Sequence, residues 1–184
     1  MRIIAGEARG RTLIAPAGST TRPTQDYVRE SLFNILAPRL EDARVLDLFA
    51  GTGALSLEAL SRGAAYAVLC DKDRAALQCI RKNIGAVRCG DRCSVFSGDY
   101  AACIRRLSGE EPFSLVFLDP PYRMENTGEI CARLLEASLL CADALIVVEH
   151  RRGTPPVLDA RFAVDGCRHY GDTEISFVRV RQGE

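Results

Sequence analysis

The sequence predicts an α/β protein with a mostly parallel sheet, helices on both of its faces and an antiparallel hairpin at one edge. From Arg44 onward, short apolar runs alternate with segments of helical apolar spacing, which is the order expected when helices connect parallel strands. Near the C terminus this alternation ends, and two β-type segments flank Tyr170–Gly171–Asp172. Those two segments should pair as a hairpin.

The elements follow from this alternation in chain order. A strand at 44–49 enters a glycine-rich turn and continues as a helix at 54–62. The other predicted elements of this part are strands at 65–70, 92–96, 113–118 and 144–149, helices at 74–87 and 127–140, and hairpin strands at 162–169 and 173–180.

Residues 1–43 show a different pattern, which we interpret as an N-terminal appendage to a single domain at 44–184. The appendage has two candidate short strands, 2–5 and 12–14, and a candidate helix at 26–36. With 184 residues, of which 47% are hydrophobic, the chain has enough apolar side chains for one continuous core. No second large domain is expected.

Composition restricts the classes of function. The formal net charge is +0, so a nucleic-acid surface would have to be a local patch. No run approaches the roughly 20 apolar residues of a membrane span. The polar N terminus resembles no export signal, and we expect a cytoplasmic protein with reduced thiols. Cys89 and Cys93 lie close together, but no second close pair follows and there are two histidines, so we predict no metal site.

The first candidate site is the turn Phe49–Ala50–Gly51–Thr52–Gly53, which joins the first strand to the first helix. Open α/β folds bind ligands at this end of the sheet. Glycines allow a ligand to approach the backbone closely, and the free N–H groups at the helix start favour an anionic group such as a carboxylate. Asp71 ends the next strand, at about the interval where a ribose-binding acid is expected.

The ligand of this site should be smaller than a dinucleotide. A dinucleotide fingerprint needs a third glycine three residues after Gly53, where this chain has Ser56. The remaining pattern suits a nucleoside with an amino-acid end, for which the turn would bind the carboxylate, Asp47 the amino group and Asp99 the adenine edge. Asp47 has an alternative role as a residue held by local backbone amides.

The second candidate site is Asp119–Pro120–Pro121–Tyr122, directly after the most apolar predicted strand. Two prolines fix φ and remove two backbone donors, which leaves carbonyl acceptors in a rigid arrangement. Asp119 and a proline carbonyl could accept hydrogen bonds from the amino group of a base while Tyr122 stacks on the ring. The alternative is a proline-capped strand end with a structural tyrosine.

Acceptors of this kind would have a chemical purpose. The lone pair of a base's amino group is delocalised into the ring, so the nitrogen is a poor nucleophile. Hydrogen bonds accepted from both N–H groups favour a pyramidal nitrogen whose lone pair points at an electrophilic methyl group. The pattern therefore indicates methyl transfer to an exocyclic amino group without a strong general base.

Together these motifs resemble the class I S-adenosylmethionine-dependent methyltransferases that carry an Asp/Asn-Pro-Pro-aromatic motif. Segments 22–36 and 45–53, with the opening 1–6 and 9–11, are similar to the RsmD family, which makes N2-methylguanosine at one site in bacterial small-subunit ribosomal RNA. The resemblance covers nearly the whole chain. It implies a Rossmann-like fold with a seven-stranded sheet, S-adenosylmethionine as cofactor, and a guanine held by residues 119–122. It also implies that Phe49, Gly51, Gly53, Asp71 and Asp99 line the cofactor pocket. Asp47, Ala50, Thr52, Lys72 and Tyr100 are further candidate cofactor-binding residues.

The same resemblance implies 16S ribosomal RNA, free or within the 30S subunit, as the substrate, and we expect a monomer. The candidate RNA contacts are Arg9, Arg11, Arg22, Thr24 and Arg29. The arginines could bind phosphates while a guanine is extruded into the pocket; alternatively, they pair with neighbouring acids on a solvated surface. The family usually has Arg at the position of Tyr27, where an aromatic ring could instead stack on a base.

Three other functions stay open at this point. An enzyme of the same fold acting on adenine N6 or cytosine N4 of DNA would share the four-residue motif, but it would commonly carry a larger recognition insertion than 184 residues allow. An RNA- or cofactor-binding module without turnover is disfavoured because every acidic and proline position of the motifs is filled. A dinucleotide oxidoreductase is disfavoured by Ser56.

Overall fold

A computed structural model describes residues 1–16, 23–121, 123–124 and 126–181, with residues 23–25 described by their backbone alone. Its helices and strands in chain order are α1 (Pro23–Leu36), β1 (Arg44–Asp47), α2 (Ala54–Ser61), β2 (Tyr66–Asp71), α3 (Arg74–Val87), β3 (Cys93–Ser97), α4 (Tyr100–Leu107), β4 (Phe113–Leu118), α5 (Thr127–Glu136), β5 (Leu140–Arg151), β6 (Phe162–Tyr170) and β7 (Thr173–Val180). None of the helices in this described part of the chain combines the length and the apolar character of a membrane span.

The strands confirm the predicted mixed sheet. Within the described residues their order is β3-β2-β1-β4-β5-β7-β6, seven strands in all. β2 pairs in parallel with β1 and with β3, and β4 pairs in parallel with β5. β7 pairs antiparallel with β5 and with β6, so the predicted hairpin lies at one edge. In each parallel group the carboxyl ends of the strands lie together, and the predicted site residues follow those ends.

Met1–Tyr100 form one compact unit. Helices α2 and α3 pack on its strands, and Leu69 and Ile80 are fully buried between them. Helix α3 begins where it is predicted to begin, because the Asp73 carboxylate accepts a hydrogen bond from the Ala75 N–H at the free end of the helix.

The N-terminal segment of this unit differs from its prediction. Instead of two short strands, it contains a single antiparallel bridge between Arg2 and Thr12. The N–H groups of Ile4 and Ala5 donate to the carboxylate of Glu58 on α2, so a buried side chain takes the place of a partner strand. The predicted boundary between an appendage and the main domain stays a prediction.

Ala101–Glu184 form the second compact unit. The side chains of β4 and β5 build much of its core, in which Phe113, Leu115 and Phe117 are fully buried. Helix α5 ends and β5 begins earlier than predicted, because Ser138 has a φ of 56°, a left-handed conformation that ends a helix. Helix α4 is an element that the sequence analysis did not predict.

Candidate functional site

The glycine turn after β1 has a conformation that its residues explain. Gly51 and Gly53 have φ values of 55° and 79°, in the left-handed region that glycine tolerates best. A Cβ atom on Gly53 would lie 3.0 Å from Leu69 Cδ2, whereas one on Gly51 would meet no described atom within 4 Å. The Gly53 N–H closes the turn by donating to the Ala50 carbonyl at 2.7 Å. The positive φ and the nearness of Leu69 therefore favour glycine at position 53, and Gly51 leaves an open surface for a ligand.

Asp71, at the end of β2, contacts this turn directly. Its Oδ2 accepts a hydrogen bond from the Gly51 N–H at 2.8 Å, and its Oδ1 accepts one from the Asp73 N–H at 2.8 Å. The structure thus brings together the turn and the acid that the sequence analysis paired. Each carboxylate oxygen keeps a second lone pair, so Asp71 retains acceptor capacity for ribose hydroxyls, a role that stays a prediction.

Two aromatic rings connect the segments after β1 and β3. The ring centroids of Phe49 and Tyr100 are 5.8 Å apart, with 42° between the ring planes, a tilted contact common for aromatic pairs. Both rings are half-buried, and Asp99 is exposed. The Gly98 N–H donates to the Asp71 carbonyl at 3.0 Å. The three strand ends therefore offer acids and apolar rings, a combination that suits a nucleoside.

Asp47, the last residue of β1, is 1% exposed. Its Oδ2 accepts a hydrogen bond from the Ser56 hydroxyl at 3.0 Å. Ser56 thus has a structural partner at the position where a dinucleotide fold would need glycine. Lys72 is exposed, and the cofactor contacts predicted for Lys72 and Asp47 stay predictions.

A buried amide that the sequence analysis did not single out connects the turn to the N-terminal segment. Asn83 of α3 donates through Nδ2 to the carbonyls of Ile14 and Thr52, each at 2.9 Å, and its Oδ1 accepts from the Ile14 N–H at 2.8 Å. In the sequence, Asn83 is recognisable only as a polar residue on the buried face of a helix. That pattern does not identify its hydrogen-bond partners.

Two of the predicted RNA contacts, Arg9 and Arg11, are exposed on the N-terminal segment. Arg11 donates from Nη1 to the Ala86 carbonyl at 2.7 Å, which holds its side chain along α3. Arg22 lies outside the described residues, and Thr24 is described only by its backbone in α1. The contacts of these four residues with RNA stay predictions.

Arg29 is placed differently, with 5% exposure. Its Nη2 donates to the Arg2 carbonyl and, at 3.1 Å, to Asp26 Oδ1, and its Nε lies 3.9 Å from Glu58 Oε2. A guanidinium held in this way belongs to the interior of the unit. The geometry favours a structural role over the predicted phosphate contact, which stays a prediction. Tyr27, by contrast, is exposed.

In the second unit, the predicted reaction motif follows β4. Asp119 and Pro121 are exposed and Pro120 is buried, while Tyr122 lies outside the described residues. The last register pair of β4 and β5 comes immediately before Asp119 and Glu149, so these two acids lie side by side. In the sequence, Glu149 ends a predicted buried strand, and no local pattern indicates its place next to the motif.

The two carboxyl groups affect each other's protonation. Although solvent reaches Asp119, the protein around it removes enough water to raise its pKa from 3.8 to about 6. Burial raises the pKa of Glu149 to about 8, and the nearby charge of Asp119 adds to that shift. Neighbouring carboxyl groups do not readily ionise together. At neutral pH the pair therefore carries about one negative charge.

A cavity of about 410 Å³ lies at this end of β4 and β5, closed by the start of α5 and the loop after β5. Its volume falls within the range of small-molecule sites. The loop approaches the helix so closely that a Cβ atom on Gly128 would lie 1.7 Å from the Val157 carbonyl oxygen. The cavity is lined by Pro120, Pro121, Met124, Thr127, Glu149, His150, Arg151, Thr154, Pro155 and Val157.

Another cluster of ionisable groups lies on the β6–β7 hairpin. Potential ligand atoms of Cys167, His169 and Glu174 lie within 4.8 Å of one another. His169 Nδ1 is 3.0 Å from Glu174 Oε2, whereas its Nε2 is 3.8 Å from Cys167 Sγ. His169 thus contacts its two neighbours through different ring nitrogens. The predicted absence of a metal stays a prediction.

Replacing Glu149 by Gln should stabilise the protein at alkaline pH. Its pKa of about 8 in the folded chain lies above the ordinary 4.5, so folding favours the neutral acid. The stability from this group is complete below pH 4.5 and is lost as the pH rises through 8. Gln stays neutral, so Glu149→Gln should raise Tm above pH 8, by about 2–4 °C for each kcal/mol gained. Melting curves above pH 8 and below pH 4.5 measure this difference, and an equal Tm difference in both ranges would contradict the raised pKa.

Comparison with known proteins identifies relatives along the whole chain. A family model described as Conserved hypothetical protein 95 matches residues 1–179. The Escherichia coli K12 protein named Ribosomal RNA small subunit methyltransferase D is 43% identical over 159 residues, covering 85% of this chain and 79% of that protein. YlbH of Bacillus subtilis, provisionally named an rRNA methyltransferase, is 39% identical over 183 residues, covering 98% of this chain and 100% of YlbH.

A solved structure has the same fold. It comes from Escherichia coli and is provisionally described as the methyltransferase yhhF. It is 38% identical in sequence, with a TM-score of 0.86 over 98% of this chain and 97% of that one. This similarity and the strand order confirm the predicted Rossmann-like, class I methyltransferase fold.

Proposed function

This chain belongs to the RsmD family of ribosomal RNA methyltransferases, and on that premise we propose that it methylates the exocyclic N2 of a guanine in 16S ribosomal RNA. At the coarser level, it is an S-adenosylmethionine-dependent methyltransferase of small-subunit ribosomal RNA. We propose two further details: N2 is the atom that is methylated, and the substrate is the assembled or assembling 30S subunit. The observation that carries it is the acceptor-rich end of β4, where Asp119 precedes two prolines without N–H groups.

The first unit has the groups that S-adenosylmethionine needs. The open side of Gly51 and the N–H groups of its turn suit the carboxylate of the amino-acid end. Asp71 keeps lone pairs for ribose hydroxyls, and the rings of Phe49 and Tyr100, with Asp99 beside them, offer a surface for adenine. When bound, the cofactor supplies an electrophilic methyl group on a positively charged sulfur.

The motif after β4 would hold the guanine's amino group. In the proposed mechanism, an oxygen of Asp119 and the carbonyl of Pro120 each accept one N2–H bond, which favours a pyramidal nitrogen with an available lone pair. The nitrogen would take the methyl group as the carbon–sulfur bond breaks, leaving a neutral thioether, and would then be positively charged and acidic. Its proton then leaves to Asp119 or to water, and neutral N2-methylguanine results.

Asp71→Ala should weaken the binding of S-adenosylmethionine by about 10- to 100-fold. The change removes the proposed ribose acceptor together with its hydrogen bonds from Gly51 and Asp73. Calorimetric titration of the purified variant with S-adenosylmethionine measures the effect. Asp73→Asn keeps an oxygen to cap α3 and is the matched control, with wild-type affinity expected. Unchanged affinity for Asp71→Ala would remove Asp71 from the cofactor site.

We further propose that Arg9 and Arg11 bind RNA phosphates. Both are exposed, on a segment whose backbone is fixed by hydrogen bonds to Glu58 and Asn83. Phosphate contacts of this kind position the protein without reading sequence. A ribosomal substrate also implies a cytoplasmic location, while the monomeric state stays a prediction.

The test of this function is to incubate the purified protein with radiolabelled S-adenosylmethionine and, separately, unmodified small-subunit RNA, 30S subunits lacking the modification, and duplex DNA. The products are digested and the labelled nucleoside is identified. We expect label in N2-methylguanosine from the RNA or the 30S subunits. Label confined to methyladenine or methylcytosine of DNA would reject the substrate but keep the reaction motif. No label despite cofactor binding would reject catalysis.

A further inference from the structure

Glu149 carries a carboxyl group at the reaction motif that the mechanism above does not use. It directly follows Val148, whose register partner Leu118 directly precedes Asp119, and it lines the cavity at this end of the strands. The adjacent His150 also lines the cavity, but both of its ring nitrogens have polar contacts, Nδ1 with the Arg151 carbonyl at 3.0 Å and Nε2 with the Ser176 hydroxyl at 2.8 Å. Glu149 is therefore better placed than His150 to contact a ligand in this cavity.

The arrangement of the two acids restricts the base edge that they can bind. Neighbouring strands lie about 4.8 Å apart, and each acid follows one residue of the last register pair, Leu118 and Val148. The charge of Asp119 also acts on the Glu149 carboxyl group. Asp119 and Glu149 thus form two adjacent acceptor groups, and each carboxyl group keeps an acceptor oxygen in either protonation state. Two adjacent acceptors need two adjacent donors on the ligand.

Guanine presents that pattern beside its amino group. Its N1–H and N2–H bonds are neighbouring donors on one edge. Adenine and cytosine instead have a ring-nitrogen lone pair next to the amino group, which repels an ionised carboxyl oxygen. Only the O–H of a protonated Glu149 could contact that lone pair, so the discrimination is strongest above pH 8, where Glu149 is ionised. Burial raises the pKa of both acids, and the charge of Asp119 raises that of Glu149 further, so donors from a ligand would also relieve an unfavourable negative charge.

We propose that Glu149 is a specificity-determining residue, which accepts a hydrogen bond from N1–H of the target guanine while Asp119 holds the N2 amino group. This inference rests on the proposed function and extends it, because it assigns the choice of base to a residue outside the four-residue motif. A site built to bind a donor rejects an analogue that lacks the donor, since its acceptor is left unpaired in the complex.

The experiment compares two substrates and four proteins. One substrate is a 30S subunit reconstituted with small-subunit RNA that contains the target guanosine mapped in the test above; in the other, 2-aminopurine riboside replaces that nucleoside, keeping the amino group and exchanging N1–H for a lone pair. The ratio of kcat/KM for the two substrates is measured for the wild type, Glu149→Ala, Glu149→Gln and Glu110→Gln. The loss of O6 in the analogue affects every protein, so the change in ratio isolates the Glu149 contact.

Above pH 8, where Glu149 is ionised, we expect the wild type to prefer guanosine by about 10- to 100-fold and Glu149→Ala to lose most of that preference. Glu149→Gln should lose part of it, because its amide N–H can donate to the lone pair of the analogue, and the exposed Glu110→Gln should match the wild type. A folded Glu149→Ala that retains the wild-type ratio would overturn the inference and leave the proposed function intact. A wild type that methylates no guanosine in RNA would instead overturn the proposed function.

Discussion

Asp119→Ala is expected to lower kcat for methyl transfer by about 100- to 1,000-fold and to leave the Kd of S-adenosylmethionine nearly unchanged. The substitution removes the side-chain acceptor that favours a pyramidal nitrogen in the transition state. It leaves intact the residues proposed to bind the cofactor, which follow β1, β2 and β3. Single-turnover rates with saturating RNA, together with a cofactor titration, separate the two quantities. Methyl transfer at the wild-type rate would show that the reaction site is assigned wrongly.

Asp119→Asn is the matched control because it keeps a carbonyl acceptor at the same position, and its kcat should fall by no more than about tenfold.

The same variant tests the pH dependence of catalysis. The pKa of Asp119 is about 6, so protonation below that pH removes charge from the acceptor, and wild-type kcat/KM should fall as the pH drops through 6. The neighbouring Glu149 titrates at higher pH, with a pKa of about 8. Asp119→Asn should lack the acid limb, and an identical limb in both proteins would assign it to another group.

Glu58→Ala is expected to lower the free energy of unfolding by about 3–5 kcal/mol. The Glu58 carboxylate is fully buried. It accepts hydrogen bonds from the Ile4 N–H at 2.8 Å, the Ala5 N–H at 3.0 Å and Arg62 Nε at 2.7 Å. Its removal leaves two backbone donors unpaired and Arg62 without its carboxylate partner. Equilibrium unfolding in urea measures the change.

The control for this prediction is Glu30→Ala, since Glu30 is exposed on α1 and should change stability by no more than about 0.5 kcal/mol. The loss in Glu58→Ala should concentrate in the N-terminal segment, which hydrogen exchange can locate. A cost no greater than that of the control would mean that the N-terminal segment is held by other contacts.

The order of strands and helices could be predicted because each strand of the parallel part is a short apolar run with a turn after it. Helix α4 was missed because its eight residues make only about two turns, and such a short run gives few repeats of the helical pattern. The start of β5 was missed for another reason. Asp143 is exposed there, and pairing of Leu140 with Phe113 of β4 extends the strand through backbone contacts.

The acids that end a strand could be predicted because a strand end can be recognised from local sequence. Glu149 could not be placed beside Asp119 in the same way, since that neighbourhood depends on the register between β4 and β5. The burial of Arg29 likewise depends on Glu58, a residue of another helix. Both cases are tertiary contacts between residues far apart in sequence, for which one chain carries no local pattern.

The two backbone hydrogen bonds of Asp71 have a consequence for the entropy of binding. The Gly51 and Asp73 N–H groups hold its carboxylate in one rotamer through contacts that lie wholly within the protein. Immobilising a free side chain on association costs about 0.5–1.5 kcal/mol, and this cost is met during folding instead. A ribose that binds here would therefore meet a preorganised acceptor, and its hydroxyl contacts would contribute to affinity without the opposing loss of side-chain freedom.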